Sequence, residues 1–179
     1  MSIIAYKIDG NSVNVACDGR VMVDDEIVQE DKKKIAKPSD KLICGATGVA
    51  DANDLWRCFV SDNIERFEAV RTTKEALVLA VEFKEMLIGD FHYGDALFSG
   101  FGGFFFITPH FHCAIYFSDD EAKTPHLRLN KQTSGCIGAT EIYTQALIDN
   151  GVGLADAIRI SARKFTSIND NVYELSFEI

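Results

Sequence analysis

The 179-residue sequence predicts an α+β fold in which sheets stack between helical layers. Three observations carry that expectation. Short apolar runs separated by Gly, Asp and Asn crowd the first fifty residues; segments with helical spacing follow in two pairs; and a block of strongly apolar, strand-like sequence lies between the pairs. At 19.8 kDa the chain fits one domain, residues 1–179, with no linker, internal repeat or low-complexity stretch.

The runs Ile3 to Ile8 and Val13 to Cys17 flank Asp9, Gly10 and Asn11, which is the signature of a hairpin. Two further short strands are expected at Val21 to Val23 and Glu26 to Val28, and a fifth at Leu42 to Thr47, beyond Pro38 and Ser39. From Asp51 the apolar spacing becomes helical, through Leu55, Trp56, Phe59, Val60 and Ile64. A second helix opens on Thr72 with Glu75 three residues later, a capping box, and closes at Gly89. The runs Phe104 to Ile107 and Phe111 to Phe117 are continuously apolar rather than alternating, so both faces of these strands should be covered. A weaker strand is expected near His126 to Leu129. Helices over Thr140 to Ile148 and Leu154 to Phe165, with Gly151 and Gly153 between them, precede a closing strand at Val172 to Phe177.

Composition narrows the function. Hydrophobic residues make up 47% and charged residues 25%, with only 3 Pro and 13 Gly, which excludes disordered and collagen-like classes. Eighteen basic against 27 acidic side chains leave a net charge of -9, a field that repels phosphate backbones, so no nucleic-acid partner is expected. The five cysteines are odd in number, form no CxxC pair and suit a reducing cytoplasm. The N-terminal apolar run is too short for a signal peptide and no run is long enough to span a membrane, so a cytoplasmic protein without membrane contact is expected. No cofactor motif stands out. His110 and His112 would share a face within a strand, but no third ligand has diagnostic spacing. Gly100, Gly102 and Gly103 lack the spacing and context of a dinucleotide loop and read as a tightly packed hairpin among Phe98, Phe101 and Phe104.

The sharpest constellation is N-terminal: Ser2 after the initiator Met1, Asp18-Gly19-Arg20 at a strand end, Lys34-Ile35, Gly45-Ala46-Thr47-Gly48, then Ala50-Asp51-Ala52. In this order, and without a gap from Ser2 to Gly48, the set resembles the proteasome β-subunit family and its bacterial HslV branch. The resemblance implies a four-layer αββα sandwich, the N-terminal-nucleophile (Ntn) hydrolase fold, and a threonine-type peptidase with Ser in place of the usual Thr. It implies Ser2, Asp18, Lys34 and Gly48 as catalytic residues, and Arg20, Val21, Met22, Thr47 and Val49 as substrate-binding, with Cys17 beside them. Implied partners are copies of the same chain in rings, an ATPase unfoldase and a peptide substrate.

The chemistry behind that set is self-contained. An N-terminal Ser supplies a hydroxyl nucleophile and, once Met1 is removed, an α-amine base with a pKa of about 7.7–8.0. By the resemblance, Lys34 stabilises developing negative charge, Asp18 holds Lys34, and the Gly48 N–H faces the oxyanion. The sequence departs from the family at four places. Ser2 lacks the Thr methyl, Met22 stands where a Thr is frequent, Ala139 replaces a Ser in a Gly-Ser-Gly turn, and Phe165 or Lys164 falls where an Asp stands. Ser134, Ser167 and Asp170 are the residues available to substitute. Two alternatives therefore stand beside the peptidase: a catalytically silent subunit serving assembly or binding, and an amidase acting on a small amide.

Overall fold

A computed structural model of the chain describes residues 2–23, 26–91, 102–118, 123–129 and 133–179. Eleven strands and five helices are described: β1 Ile3–Asp9, β2 Ser12–Asp18, β3 Val21–Val23, β4 Glu26–Gln29, β5 Ile35–Ser39, β6 Leu42–Ala46, α1 Ala50–Asp62, α2 Ile64–Ala69, α3 Thr73–Gly89, β7 Phe104–Ile107, β8 His112–Phe117, β9 Pro125–Arg128, β10 Ser134–Gly138, α4 Glu141–Asp149, α5 Leu154–Lys164 and β11 Val172–Glu178. Helices and sheets are both present, as expected. One sheet has the order β10-β1-β2-β11, a second β5-β6-β7-β8-β9, and β3-β4 form a separate two-stranded ribbon.

The β1–β2 hairpin closes with Asp9 opposite Ser12, so Gly10 and Asn11 form a two-residue turn, and Gly10 takes the positive φ of 60° that such a turn favours. Side-chain alternation then assigns each central strand to two different cores. Ile4 and Tyr6 of β1 and Val13, Val15 and Cys17 of β2 join Ile43 of β6 and Phe105 and Ile107 of β7 in one apolar cluster shared by the two sheets. The opposite faces pack on helices. Leu42, Cys44, Phe104 and Phe106 meet Trp56, Phe59, Phe67 and Phe83 from α1, α2 and α3, while Ile3, Ala5, Ala16 and Cys136 meet Ile148, Leu154, Ala157 and Ile158 from α4 and α5. All four residues of β7 are buried because each face of that strand meets a core, the physical reason for its unbroken apolarity.

Two strands lie where periodicity does not announce them. Both are sheet edges. β5 carries Pro38, which an edge strand tolerates because one row of its N–H groups has no ladder partner. β10 is five residues long and bounded by glycines, so its pairing with β1 rather than its own pattern makes it a strand. The first helical segment is broken at Asn63, where φ is -124° and the side-chain Nδ2 donates to the Phe59 carbonyl at 2.9 Å, separating α1 from α2. β8 begins at His112, so exposed His110 sits in the preceding turn rather than sharing a strand face with it, and the His112 ring lies edge-on to Tyr6 at 5.3 Å. Among the described residues no cluster of three His, Cys, Asp or Glu side chains is placed to hold a metal ion. Gly102 and Gly103 pack closely on Thr47, whereas residues 97–101, His92 and Met1 lie outside the described residues.

The capping box forms as the sequence predicts: Thr72 Oγ1 accepts from Glu75 N at 3.3 Å, and Glu75 Oε2 accepts from Thr72 N at 2.9 Å. Thr72→Ala should lower the unfolding free energy by about 1 kcal/mol, measured by urea titration, with no change in the denaturant slope.

Candidate active site

The site grows from the last residue of β2. Asp18 is fully buried, and its carboxylate accepts from three donors. Oδ1 accepts from Lys34 Nζ at 2.7 Å and from the Ile3 backbone N–H at 2.9 Å, while Oδ2 accepts from Arg20 N at 3.0 Å. Lys34 Nζ also donates to the Arg20 carbonyl at 2.6 Å. One carboxylate oxygen thus ties a buried ammonium to the amide that follows Ser2. The opposite edge of the same peptide unit is held as well, since the Ser2 carbonyl accepts from Ala139 N at 2.7 Å. That approach requires Gly138, whose φ is +102°. A Cβ there would lie 2.1 Å from the Ser2 carbonyl oxygen.

Ser2, Lys34 and Gly48 line one narrow cleft of about 20 Å³, room for roughly one water, together with Val21, Met22, Lys32, Ala46, Ala50 and Asn53. Gly48, at φ +101°, leads from β6 into α1, so the cleft lies against the start of that helix, where unpaired N–H groups favour negative charge. Val49 is the N-cap of α1 and provides no side-chain cap. Burial lowers the Lys34 pKa from its ordinary value, opposed by the charge of Asp18.

The other residues expected at the site lie around it. Thr47 is buried and turned toward Gly103, whose N–H donates to Thr47 Oγ1 at 3.1 Å. Cys17 is enclosed between the sheets, where burial pushes its thiol up to about 11 and keeps it neutral at physiological pH. The Arg20 guanidinium is engaged elsewhere, with Glu30 at 2.9 and 3.2 Å and with the Thr166 carbonyl at 2.5 Å. These bonds fasten the β2–β3 turn to the segment after α5. Asn169 from that segment accepts from Gly19 N at 2.9 Å and donates to the Glu30 carbonyl at 2.8 Å. The Arg20 and Asn169 bonds hold the Glu30 carboxyl below the usual carboxylate range. Phe165 packs on Tyr143, and Ser134 pairs opposite Lys7, four residues along the ladder from the Ile3–Gly138 pair nearest Ser2.

Lys32, Asn53, Glu30 and Asn169 are the residues that sequence reasoning did not place here, while Ala46 and Ala50 entered it only as members of the motif. Ala50 and Asn53 carry a usable signal, since they stand three apart at the start of a helix that leaves the Gly48 turn and so share a face. Asn169 has none. Its partner Gly19 is 150 residues away.

No family model matches the chain, and no curated protein matches its sequence. Among solved structures it is similar to the eukaryotic HslV from Trypanosoma brucei, with a TM-score of 0.73, 14% identity and 99% of each chain covered. The chain therefore has an HslV-like fold.

Removing one member of a buried ion pair leaves the other uncompensated. Asp18→Ala should cost about 3–5 kcal/mol in chemical denaturation, and adding Lys34→Met to that variant should recover a large part of the loss. Lys34 also sets a pH dependence. Because its folded pKa is lowered, the unfolded chain binds more protons between that value and the ordinary 10.5, so this residue's contribution makes stability rise with pH through that window. The slope should be smaller in Lys34→Met than in the parent when urea midpoints are compared across alkaline pH.

Proposed function

We propose that this chain is a peptidase subunit of the proteasome/HslV type, cleaving peptide bonds with Ser2 once Met1 is removed. The observation that supports this reading most is the double grip of Asp18, which couples buried Lys34 to the Ile3 amide and so sets Ser2 beside a paired cation at the edge of a cleft. The fold likeness supports it independently. We read the succession of three cores as the four-layer αββα sandwich of an Ntn hydrolase, with residues 1–179 as one domain of that type.

In this mechanism the Ser2 hydroxyl attacks the substrate carbonyl carbon while the Ser2 α-amine takes its proton. The carbonyl oxygen becomes an oxyanion that the Gly48 N–H, the start of α1 and the Lys34 ammonium stabilise together; one such donor contributes about 3–4 kcal/mol. The α-ammonium then returns the proton to the leaving amine, and an acyl ester remains on Ser2. Water, deprotonated by the same amine, hydrolyses that ester and regenerates the site. Asp18 keeps Lys34 charged despite its burial, and Arg20 acts here through its bonds to Glu30 and Thr166 by holding the β2–β3 turn. Val21 and Met22 offer backbone groups to an extended peptide, and Thr47 and Val49 shape the approach to Gly48.

Self-assembly belongs to this proposal. Ile142 on α4 is 84% exposed, and Val78, Val81 and Ile88 leave an apolar stripe on the outer face of α3, surfaces suited to contact between copies. A second reading, a silent subunit that retains the fold for assembly, is favoured by Ala139 and Phe165 at positions where the resemblance expects a Ser and an Asp.

Intact mass should show loss of Met1, and the demethionylated chain should cleave short fluorogenic peptides. Ser2→Ala should reduce the rate by at least about a thousandfold without changing the melting temperature. Absence of both cleavage and covalent labelling of demethionylated Ser2 by an N-terminal-nucleophile inhibitor would establish the silent reading instead.

A further inference from the structure

Two residues with positive φ flank Ala139, whose N–H holds the Ser2 carbonyl: Gly138 at +102° and Thr140 at +63°. Glycine enters that region freely, whereas a β-branched side chain crowds the backbone there, so threonine at 140 is a strained choice. Nor does its hydroxyl serve the helix it begins. Thr140 is the N-cap of α4, yet its side chain makes no capping bond. It joins a row of hydroxyls instead. Thr140 Oγ1 lies 3.2 Å from Thr144 Oγ1, which lies 2.9 Å from Ser161 Oγ, and Ser161 donates to the Ala157 carbonyl at 2.8 Å. Thr144 and Ser161 are fully buried.

The direction of that row follows from counting protons, since each hydroxyl has one to donate. Ser161 directs its proton to Ala157, so Thr144 must donate to Ser161 and Thr140 to Thr144. The row therefore runs one way, from the turn beside Ser2 into α5, and each bond polarises the next. α5 is itself tied to the other side of the site. Just beyond its end, the Thr166 carbonyl accepts from Arg20 and the Asn169 side chain accepts from Gly19 N, which fastens the turn after Asp18.

Resting on the peptidase reading, we propose that Thr140 is a positioning residue for Ser2. Its hydroxyl, anchored through Thr144 to Ser161, holds the left-handed turn that aims the Ala139 N–H at the Ser2 carbonyl. Asp18 grips the same peptide unit through the Ile3 N–H. A planar unit fixed at both edges sets where the Ser2 Cα stands in the cleft, and with it the hydroxyl and α-amine that this carbon carries.

The test uses the demethionylated chain and reads the grip and the chemistry separately. Thr140→Gly removes the hydroxyl together with the strain, whereas Thr144→Val keeps Thr140 and takes away its acceptor. In both, exchange of the Ala139 amide hydrogen, followed by NMR and normalised to the amides of β1, should quicken about tenfold, the effect of losing one buried hydrogen bond. The kcat for short fluorogenic peptides should fall about tenfold with KM unchanged. Thr140→Ser, which keeps a donor at that position, should restore both values. A purely structural threonine predicts a changed melting temperature with Ala139 exchange and kcat at parent values. Unchanged exchange in either variant, equal quickening in Thr140→Ser, or unchanged kcat in a chain that cleaves overturns the inference. If exchange quickens as expected but no chain, the parent included, cleaves peptide, the Thr140 grip stands and the peptidase reading falls. Cleavage by the parent with exchange unchanged in the variants does the reverse.

Discussion

A carboxylate with no exposure to solvent is tolerable only when it is paired and hydrogen-bonded, and Asp18 meets that requirement with an ammonium and two backbone amides. The consequence is geometric. Its three donors come from the chain after Ser2, from the turn beyond β2 and from the residue before β5, so satisfying one side chain brings three segments to one point. None of these could move alone without stranding a buried charge. The same pairing fixes the Lys34 side of the Ser2 cleft.

Around that point the two sheets perform complementary tasks. β1 and β2 give one face to the shared apolar core and the other to α4 and α5, which holds the Asp18 end of β2 between two packed layers. β6 does the same on the other side, and its end delivers Gly48 and the first turn of α1 to the cleft. Trp56 anchors α1 by donating from Nε1 to the Phe105 carbonyl at 3.1 Å within a cluster of phenylalanine rings. Many of the chain's 13 phenylalanines find their use there, as filling between helix and sheet.

Where the sequence carried local chemistry, it could be read. The Asp9 to Ser12 turn, the Thr72–Glu75 box and the doubly covered strand β7 each leave a signature within a few residues, because the interaction responsible is itself local or is written in side-chain alternation. Ser2, Lys34 and Gly48 were legible as members of one cleft only through their combined order, since each alone is an ordinary turn or surface residue. β5 and β10 were not legible as strands, because an edge strand borrows its hydrogen bonds from a neighbour distant in sequence. Asn53 passed unnoticed as a polar residue in a helix. That its Oδ1 has no partner among the described residues is a property of its surroundings.

The sequence by itself determined most of the succession of strands and helices, the acidic character of the chain, and the order of a hydroxyl, a carboxylate, a lysine and a glycine turn along the first fifty residues. Only the tertiary structure decided which of these groups meet. It brought Lys34 and Ile3 to the same oxygen of Asp18, turned Thr47 toward Gly103, committed Arg20 to Glu30, and placed Ala139 against Ser2. The reason is that burial and pairing act through space. A residue's local pattern sets the element it joins, but its charge state and partners depend on the strands and helices that pack over it.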